Sequence, residues 1–187
     1  MIAYDKYYEV ESLFGSPYPE LISYMANQVK GTVLDLGCGQ GRDAIALARL
    51  GFDVVGVDHS KIGINQMMRI ASKENLSLKG QVADIFGFND FTTFDFVLLD
   101  SMFHFAKKDV AKETKLIKNI IGGMKANAQL VVCIQDSGKK VKTLLQIIEE
   151  THARSIFENQ FVYEFEDKES GHKSKTNYQL IVLAKRK

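Results

Sequence analysis

From residue 31 to about residue 151, short apolar runs alternate with stretches whose apolar residues return every three or four positions. Val33–Leu36, Asp53–Val57, Leu78–Ala83, Phe94–Leu99 and Gln129–Gln135 read as buried strands. Asp43–Leu50, a segment capped by Ser60 and running through Glu74, Asp109–Ile121 and Lys139–Glu150 read as helices, with Gly51 and Gly122-Gly123 as stops. Ile62, Ile64, Met67, Met68 and Ile70 form the apolar side of the second of these, the methionines as core filler. Such alternation predicts βα units around a mostly parallel sheet covered on both faces, a doubly wound α/β fold. Pro19 opens an earlier helix in which Leu21, Ile22, Met25 and Val29 share a face and which Gly31 ends. After residue 151, Phe157–Phe165 and Tyr178–Ala184 are strand-like and flank the polar stretch Glu166–Asn177, the pattern of an antiparallel hairpin closed by a mobile loop.

Acids punctuate this pattern. Asp35, Asp58, Asp84 and Asp100 end or nearly end four of the predicted parallel strands, and open α/β sheets bind ligands at that carboxyl edge. Taken singly, each also suits a helix cap or a turn.

The first strand runs into a helix through Gly37, Gly39 and Gly41, which let the backbone turn sharply and approach a ligand where a Cβ would collide. The spacing is G-x-G-x-G, with Arg42 where a dinucleotide fingerprint has its last glycine, which weakens a nicotinamide reading. No Gly-Lys-Ser/Thr follows, so the loop is not a P-loop. Asp35 repels phosphate and suits an ammonium or sulfonium group, and S-adenosylmethionine carries both. A tight connection without a ligand is the alternative. Against it, Asp58 ends the next strand about 20 residues on, where an acid takes ribose hydroxyls.

The run VLDLGCGQGRDAIALARLGFDVVGVDHS, residues 33–60, resembles the glycine motif and second strand of class I S-adenosylmethionine-dependent methyltransferases. Its Gly-Arg-Asp ending is most similar to the small methyltransferases grouped around tellurite-resistance and thiopurine enzymes. The resemblance implies a seven-stranded sheet ending in an antiparallel strand, and S-adenosylmethionine as cofactor. It also implies that Asp35, Gly37, Gly39 and Gly41 surround the methionyl part, with Cys38 and Gln40 supplying loop backbone. Asp58 would take the ribose hydroxyls, His59 would border the adenine, Asp84 would receive the adenine amino group and Ile85 would line the ring. Asp100 and Ser101 would lie beside the reactive methyl.

The segment Asp100-Ser101-Met102-Phe103-His104-Phe105 departs from the Asn-Pro-Pro-Tyr-like signature of relatives that methylate planar amines. That absence shifts the expectation from nucleic acid to a small-molecule methyl acceptor. His104 reads either as the proton acceptor of the reaction or as a histidine at a helix entry. Tyr4, Tyr7, Tyr8, Phe14 and Tyr18 read either as a lid over the cofactor or as the packing of an N-terminal helix. As a lid, Tyr7 or Tyr4 is the expected contact and Tyr8 the weaker one.

Composition adds limits. With 187 residues and 45% hydrophobic content, one domain is expected, with residues 1–30 as a helical lid and 31–187 as the cofactor-binding core. Twenty-four basic residues against 23 acidic ones give no global field toward polyanions. The chain has neither a leader pattern nor an apolar run of about 18 residues, so a cytoplasmic protein is expected. Cys38 and Cys133, its two cysteines, have no metal-ligand spacing, and neither a disulfide nor a metal is expected. Two rivals remain open: an RNA or protein methyltransferase reached through Lys139, Lys140, Lys142, Lys173 and Lys175, and a non-catalytic cofactor-binding regulator.

Overall fold

The computed structural model describes residues 8, 10, 13–151, 153–166 and 173–185. Its sheet contains β1 (Thr32–Leu36), β2 (Asp53–Asp58), β3 (Leu78–Val82), β4 (Phe96–Asp100), β5 (Gln129–Gln135), β6 (Ala153–Glu166) and β7 (Lys173–Lys185). They lie in the order β3-β2-β1-β4-β5-β7-β6. The first five strands are mutually parallel, and β7 inserts antiparallel between β5 and β6. The helices are α1 (Pro19–Ala26), α2 (Arg42–Arg49), α3 (Lys61–Glu74), α4 (Val110–Gly123) and α5 (Lys139–Glu149), with a 3-10 turn at Ile85–Gly87. This is the doubly wound sheet with an antiparallel C-terminal hairpin that the hydrophobic pattern predicts.

Side chains alternate across each strand, so the sheet divides the interior into two cores. Leu34, Leu36, Val97 and Leu99 pack with α4 and α5 residues such as Leu116, Ile120 and Leu144. Val33, Val54, Leu98, Val131 and Cys133 pack on the other face with Leu21, Leu47, Ile64 and Met67. The same period of two carries Asp35, Asp58 and Asp100 to this second face, where the register aligns Asp35 with Gly56 and with Leu98. Apolar strands thus deliver three carboxylates to one side of one sheet edge.

Helix α3 fits against β2 and β3 because three positions lack a Cβ. The Met67 side chain, fully buried, occupies the space that side chains on Gly41, Gly56 and Gly80 would need. Ser60 caps this helix by accepting the Gly63 amide at 3.1 Å. Met67 is core filler, as its position in the apolar stripe predicts.

Two segments differ from expectation. Helix α1 stops at Ala26, not near Gly31, and Val29 is 89% exposed instead of sharing the apolar face. The cause is local: Asn27, Gln28 and Lys30 side chains bond the carbonyls of Ser23, Tyr24 and Ala26, competing with another helical turn. The polar stretch expected as a loop from Glu166 to Asn177 is partly strand, because β7 already begins at Lys173. Strand β5 pairs with β7 only from Tyr178 to Ala184, and the hairpin continues past it as a two-stranded arm, with Lys175 bridged to Glu164 at 2.5 Å. An arm with no core beneath it shows no apolar period to read.

Candidate active site

Asp35 stands on the α2-facing side of β1 at a position where its neighbours on that face are apolar, and it is 2% exposed. Burial, and next the Asp43 carboxylate, push its pKa well above the usual carboxylate range, and Arg42 pulls the other way. Its Oδ2 is buried without a hydrogen-bond partner among the described residues. An orphaned carboxylate oxygen in a low-dielectric site is costly, and a cationic ligand relieves that cost.

Asp100, last residue of β4, meets a different environment. Its Oδ2 accepts from the Arg42 guanidinium in a close ion pair, and its Oδ1 accepts the Ser101 hydroxyl at 2.6 Å. Arg42 also holds Asp43 at 2.9 Å and lies 4.6 Å over the Tyr18 ring. Burial works against the arginine's charge, but Asp43 and Asp100 more than offset it and keep it protonated. Burial and the Asp43 carboxylate raise Asp100 in turn. Tyr18 shares a 2.8 Å hydrogen bond with the Ser101 hydroxyl, and burial followed by Asp100 pushes its phenol pKa up. Tyr163 packs edge-on and Tyr178 tilted against Tyr18, with centroids at 4.8 and 4.9 Å, so the C-terminal hairpin forms one wall of this cluster.

The glycine loop is tied to β2. Asp58 accepts the Gly39 amide at 3.0 Å through Oδ2 and the Ser60 amide at 2.8 Å through Oδ1. Gly37 and Gly41 donate to the Val57 and Cys38 carbonyls, and Gly37, Gly39 and Gly41 all have positive φ. The three glycines serve different neighbours. Gly37 faces the Met102 side chain, and a Cβ on Gly39 would stand 2.7 Å from the Tyr8 hydroxyl, while Gly41 makes room for Met67. Cys38 is buried, and burial, then the Asp35 and Asp58 carboxylates, push its thiol pKa up, the environment of a packing residue.

His59 is exposed at the helix approach, its Nδ1 3.5 Å from Asp58 Oδ1. Asp84 is exposed and caps the 3-10 turn by accepting the Phe86 amide at 3.0 Å, and Ile85 packs partly buried against the α4 side. Asp84 therefore does the capping work that its residue type also allowed. Tyr4 and Tyr7 lie outside the described residues. Tyr8, expected to be the weaker contact, is 5% exposed and sits on the loop.

His104 is exposed between buried Phe103 and Phe105, whose rings stack at 5.6 Å. Two features of this loop escaped the sequence reading. Ser101 and Phe105 both have positive φ, 56° and 49°, a strained geometry for non-glycine residues that surrounding contacts must hold. Glu113 of α4, 4% exposed, holds it by accepting the His104 amide at 3.2 Å and the Phe105 amide at 2.8 Å. A glutamate between Lys112 and Thr114 gives no signal of burial; only its i+3 spacing from Val110 and i−3 spacing from Leu116 on the apolar stripe hints at it.

The family model of the tellurite resistance protein TehB matches residues 2–179. The chain belongs to the TehB family of class I S-adenosylmethionine-dependent methyltransferases. A curated TehB of Haemophilus influenzae strain 10810, described as a probable S-adenosyl-L-methionine-dependent methyltransferase, is 36% identical over 88 residues, 47% of this chain and 30% of the relative. The chain thus matches under a third of the length of that curated TehB. The crystal structure of TehB from Haemophilus influenzae is similar with a TM-score of 0.71 at 21% identity, over 98% of this chain and 66% of that one. A structure solved for the conversion of a disulfide bond into a thioacetal group during echinomycin biosynthesis has a TM-score of 0.75 at 20% identity, over 92% and 83% of the two chains. At these identities the solved structures establish the shared fold.

The TehB cofactor is S-adenosylmethionine, and the residues present fit it. The orphaned Asp35 oxygen lies beside a glycine loop open on its Gly37 and Gly39 side to small movable groups, a methionine side chain and a phenol, and not to backbone. Among the described residues no three His, Cys, Asp or Glu side chains group as a metal site, and no helix is long and apolar enough to cross a membrane.

Proposed function

We propose that this chain transfers the methyl group of S-adenosylmethionine to a small nucleophile by in-line displacement. The observation that carries the reading is the surplus of buried carboxylate at the carboxyl edge. Arg42 is engaged by Asp43 and Asp100, while Asp35 is left with an unpartnered oxygen. A ligand with two positive centres complements that surplus, and phosphate-bearing ligands do not. When bound, the cofactor supplies an electrophilic methyl on a sulfonium.

In this reading Asp35 receives the cofactor's ammonium, the loop backbone around Gly37 and Gly39, whose amides are already bonded to Val57 and Asp58, packs against its methionyl part, and Asp58 accepts the ribose hydroxyls on its remaining lone pairs. Asp84 and Ile85 border the adenine, with His59 at its rim. The strained Ser101 turn, held by Tyr18 and Asp100, shapes the floor where acceptor and methyl meet. Aligning the two within ~3 Å and excluding water supplies several kcal/mol of the rate enhancement. His104, at the mouth, takes the proton of a protonated acceptor; an acceptor that is already anionic needs none. Residues 1–30 contribute a lid.

A small acceptor is supported by the missing Asn-Pro-Pro-Tyr signature and by the family's tellurite-resistance designation, which points to a compact anion. A curated 2-heptyl-1-hydroxyquinolin-4(1H)-one methyltransferase of Mycobacteroides abscessus, 32% identical over 93 residues, also acts on a small molecule. Incubation with methyl-labelled S-adenosylmethionine and cell extract should place label in small or volatile products; label on RNA or protein would overturn the small-acceptor reading. Calorimetry should show Asp58→Ala weakening cofactor binding at least tenfold, and unchanged affinity would remove Asp58 from the site.

A further inference from the structure

Gln40, in the glycine loop, and Gln66, on α3, face each other with Gln40 Nε2 donating to Gln66 Oε1 at 2.8 Å. Each amide has its remaining groups engaged by the N-terminal part of the chain. Gln40 Oε1 accepts the Leu13 amide at 3.0 Å, and Gln40 Nε2 also donates to the Val10 carbonyl at 2.7 Å. Gln66 Nε2 donates to the Tyr8 carbonyl at 2.7 Å. Arg42 and Tyr163 reach the Phe14 carbonyl at 3.5 and 3.4 Å, a weaker second attachment. The Tyr8 ring meets Phe14 edge-on at 6.0 Å, and its hydroxyl points at Gly39.

These bonds join three separate stretches of sequence through neutral side-chain amides. A primary amide is suited to this because it donates and accepts at once, so one side chain can take a backbone N–H and a backbone C=O together. Packing alone would not need four polar groups matched in this way. The clasp holds Tyr8, which lies directly on Gly39 of the loop expected to hold the methionyl part, so anything entering or leaving between Tyr8 and Gly39 must displace it.

We propose that Gln40 and Gln66 are positioning residues that clamp Tyr8 over the glycine loop and set the rate at which cofactor and its demethylated product exchange. The inference rests on the reading of this loop as the S-adenosylmethionine site. Neither glutamine touches the reacting atoms; they act through Tyr8.

The test uses the full chain with Gln66→Met, which keeps the length of the side chain and removes both bonds, and Gln66→Glu, which keeps the acceptor for Gln40 but loses the donor to Tyr8. Two quantities are read: hydrogen exchange at the Leu13 amide without cofactor, and dissociation of S-adenosylhomocysteine by stopped flow. In Gln66→Met, Leu13 exchange and product release should both quicken by about tenfold, with KM for the cofactor rising more than kcat falls; Gln66→Glu, which sets a carboxylate oxygen against the Tyr8 carbonyl, should quicken both at least as much. Faster Leu13 exchange with unchanged product release overturns the proposed control of exchange. Unchanged Leu13 exchange overturns the clasp itself. If Tyr8→Ala speeds release while Gln66→Met does not, the lid stands and the glutamines do not serve it. If native protein binds neither S-adenosylmethionine nor its product, the cofactor reading fails and the clamping of exchange fails with it, whatever Leu13 shows.

Discussion

The Glu113 carboxylate accepts the Phe105 amide at 2.8 Å and so fixes, from a helix behind the sheet, the loop that follows β4. Hydrogen bonds to a charged group contribute about 1.5–3 kcal/mol each, and an amide stripped of its partner inside the protein adds its own penalty. Glu113→Ala should therefore lower stability by about 2–4 kcal/mol in urea unfolding and raise KM for the methyl acceptor. Glu113→Gln, which retains an acceptor, should recover most of the stability. Equal losses in the two variants would show that Glu113 acts by bulk alone.

Asp35 predicts a conflict between stability and binding. Its folded-state pKa is raised by burial first, then by Asp43. A raised carboxylate contributes most to stability below its unfolded value of ~3.9 and loses that contribution as pH rises through the folded pKa. The cofactor-free protein should weaken over this range, and Asp35→Asn should shallow the slope, leaving the part that the likewise raised Asp100 contributes, and raise the melting temperature near neutral pH. The same variant should lose cofactor affinity, because an amide does not offset an ammonium charge. In the native protein, affinity should rise with pH across the same window and binding should release protons, seen as a buffer-dependent calorimetric enthalpy. Superimposable pH–stability curves for native and Asp35→Asn would count against this account.

Glycines outside the recognised motif separate by what surrounds them. A Cβ on Gly63 would stand 2.5 Å from the Gly39 carbonyl oxygen, which is backbone and cannot swing aside, so Gly63→Ala should cost about 1–3 kcal/mol and distort the loop. Gly122, in α4, has open space around it, and Gly122→Ala should stabilise by about 0.5–1 kcal/mol through helix propensity. Thermal denaturation of the two variants should move in opposite directions, with cofactor affinity changed only in the first.

These contrasts mark what the sequence could convey. Short continuous apolar runs placed β1, β2, β4 and β5 closely, and the carboxylates at or near the ends of the first three were readable because a charge interrupting an apolar run is conspicuous. The reason for each glycine was not readable. Gly41 belongs to the motif, yet its missing Cβ makes room for Met67, a residue 26 positions away in sequence that only the α3–β2 packing brings near. Glu113, Gln40 and Gln66 carry no local signature, since a polar residue on a helix or loop looks solvated until its partners are known. The end of α1 was misread for a similar reason: Asn27, Gln28 and Lys30 compete for its last carbonyls through contacts that apolar spacing does not register.

The ring cluster around Tyr18 also sets an order of events during synthesis. Tyr18 emerges from the ribosome well ahead of Phe161, Tyr163 and Tyr178, which enclose it. At translation rates of about 5–20 residues per second, Tyr18 and Arg42 spend roughly 6 to 30 seconds without their covering. During that interval the Asp35–Arg42–Asp100 charges stay hydrated, and their burial is deferred until the hairpin docks. The charge cluster at the carboxyl edge is thereby assembled only once β6 and β7 are in place.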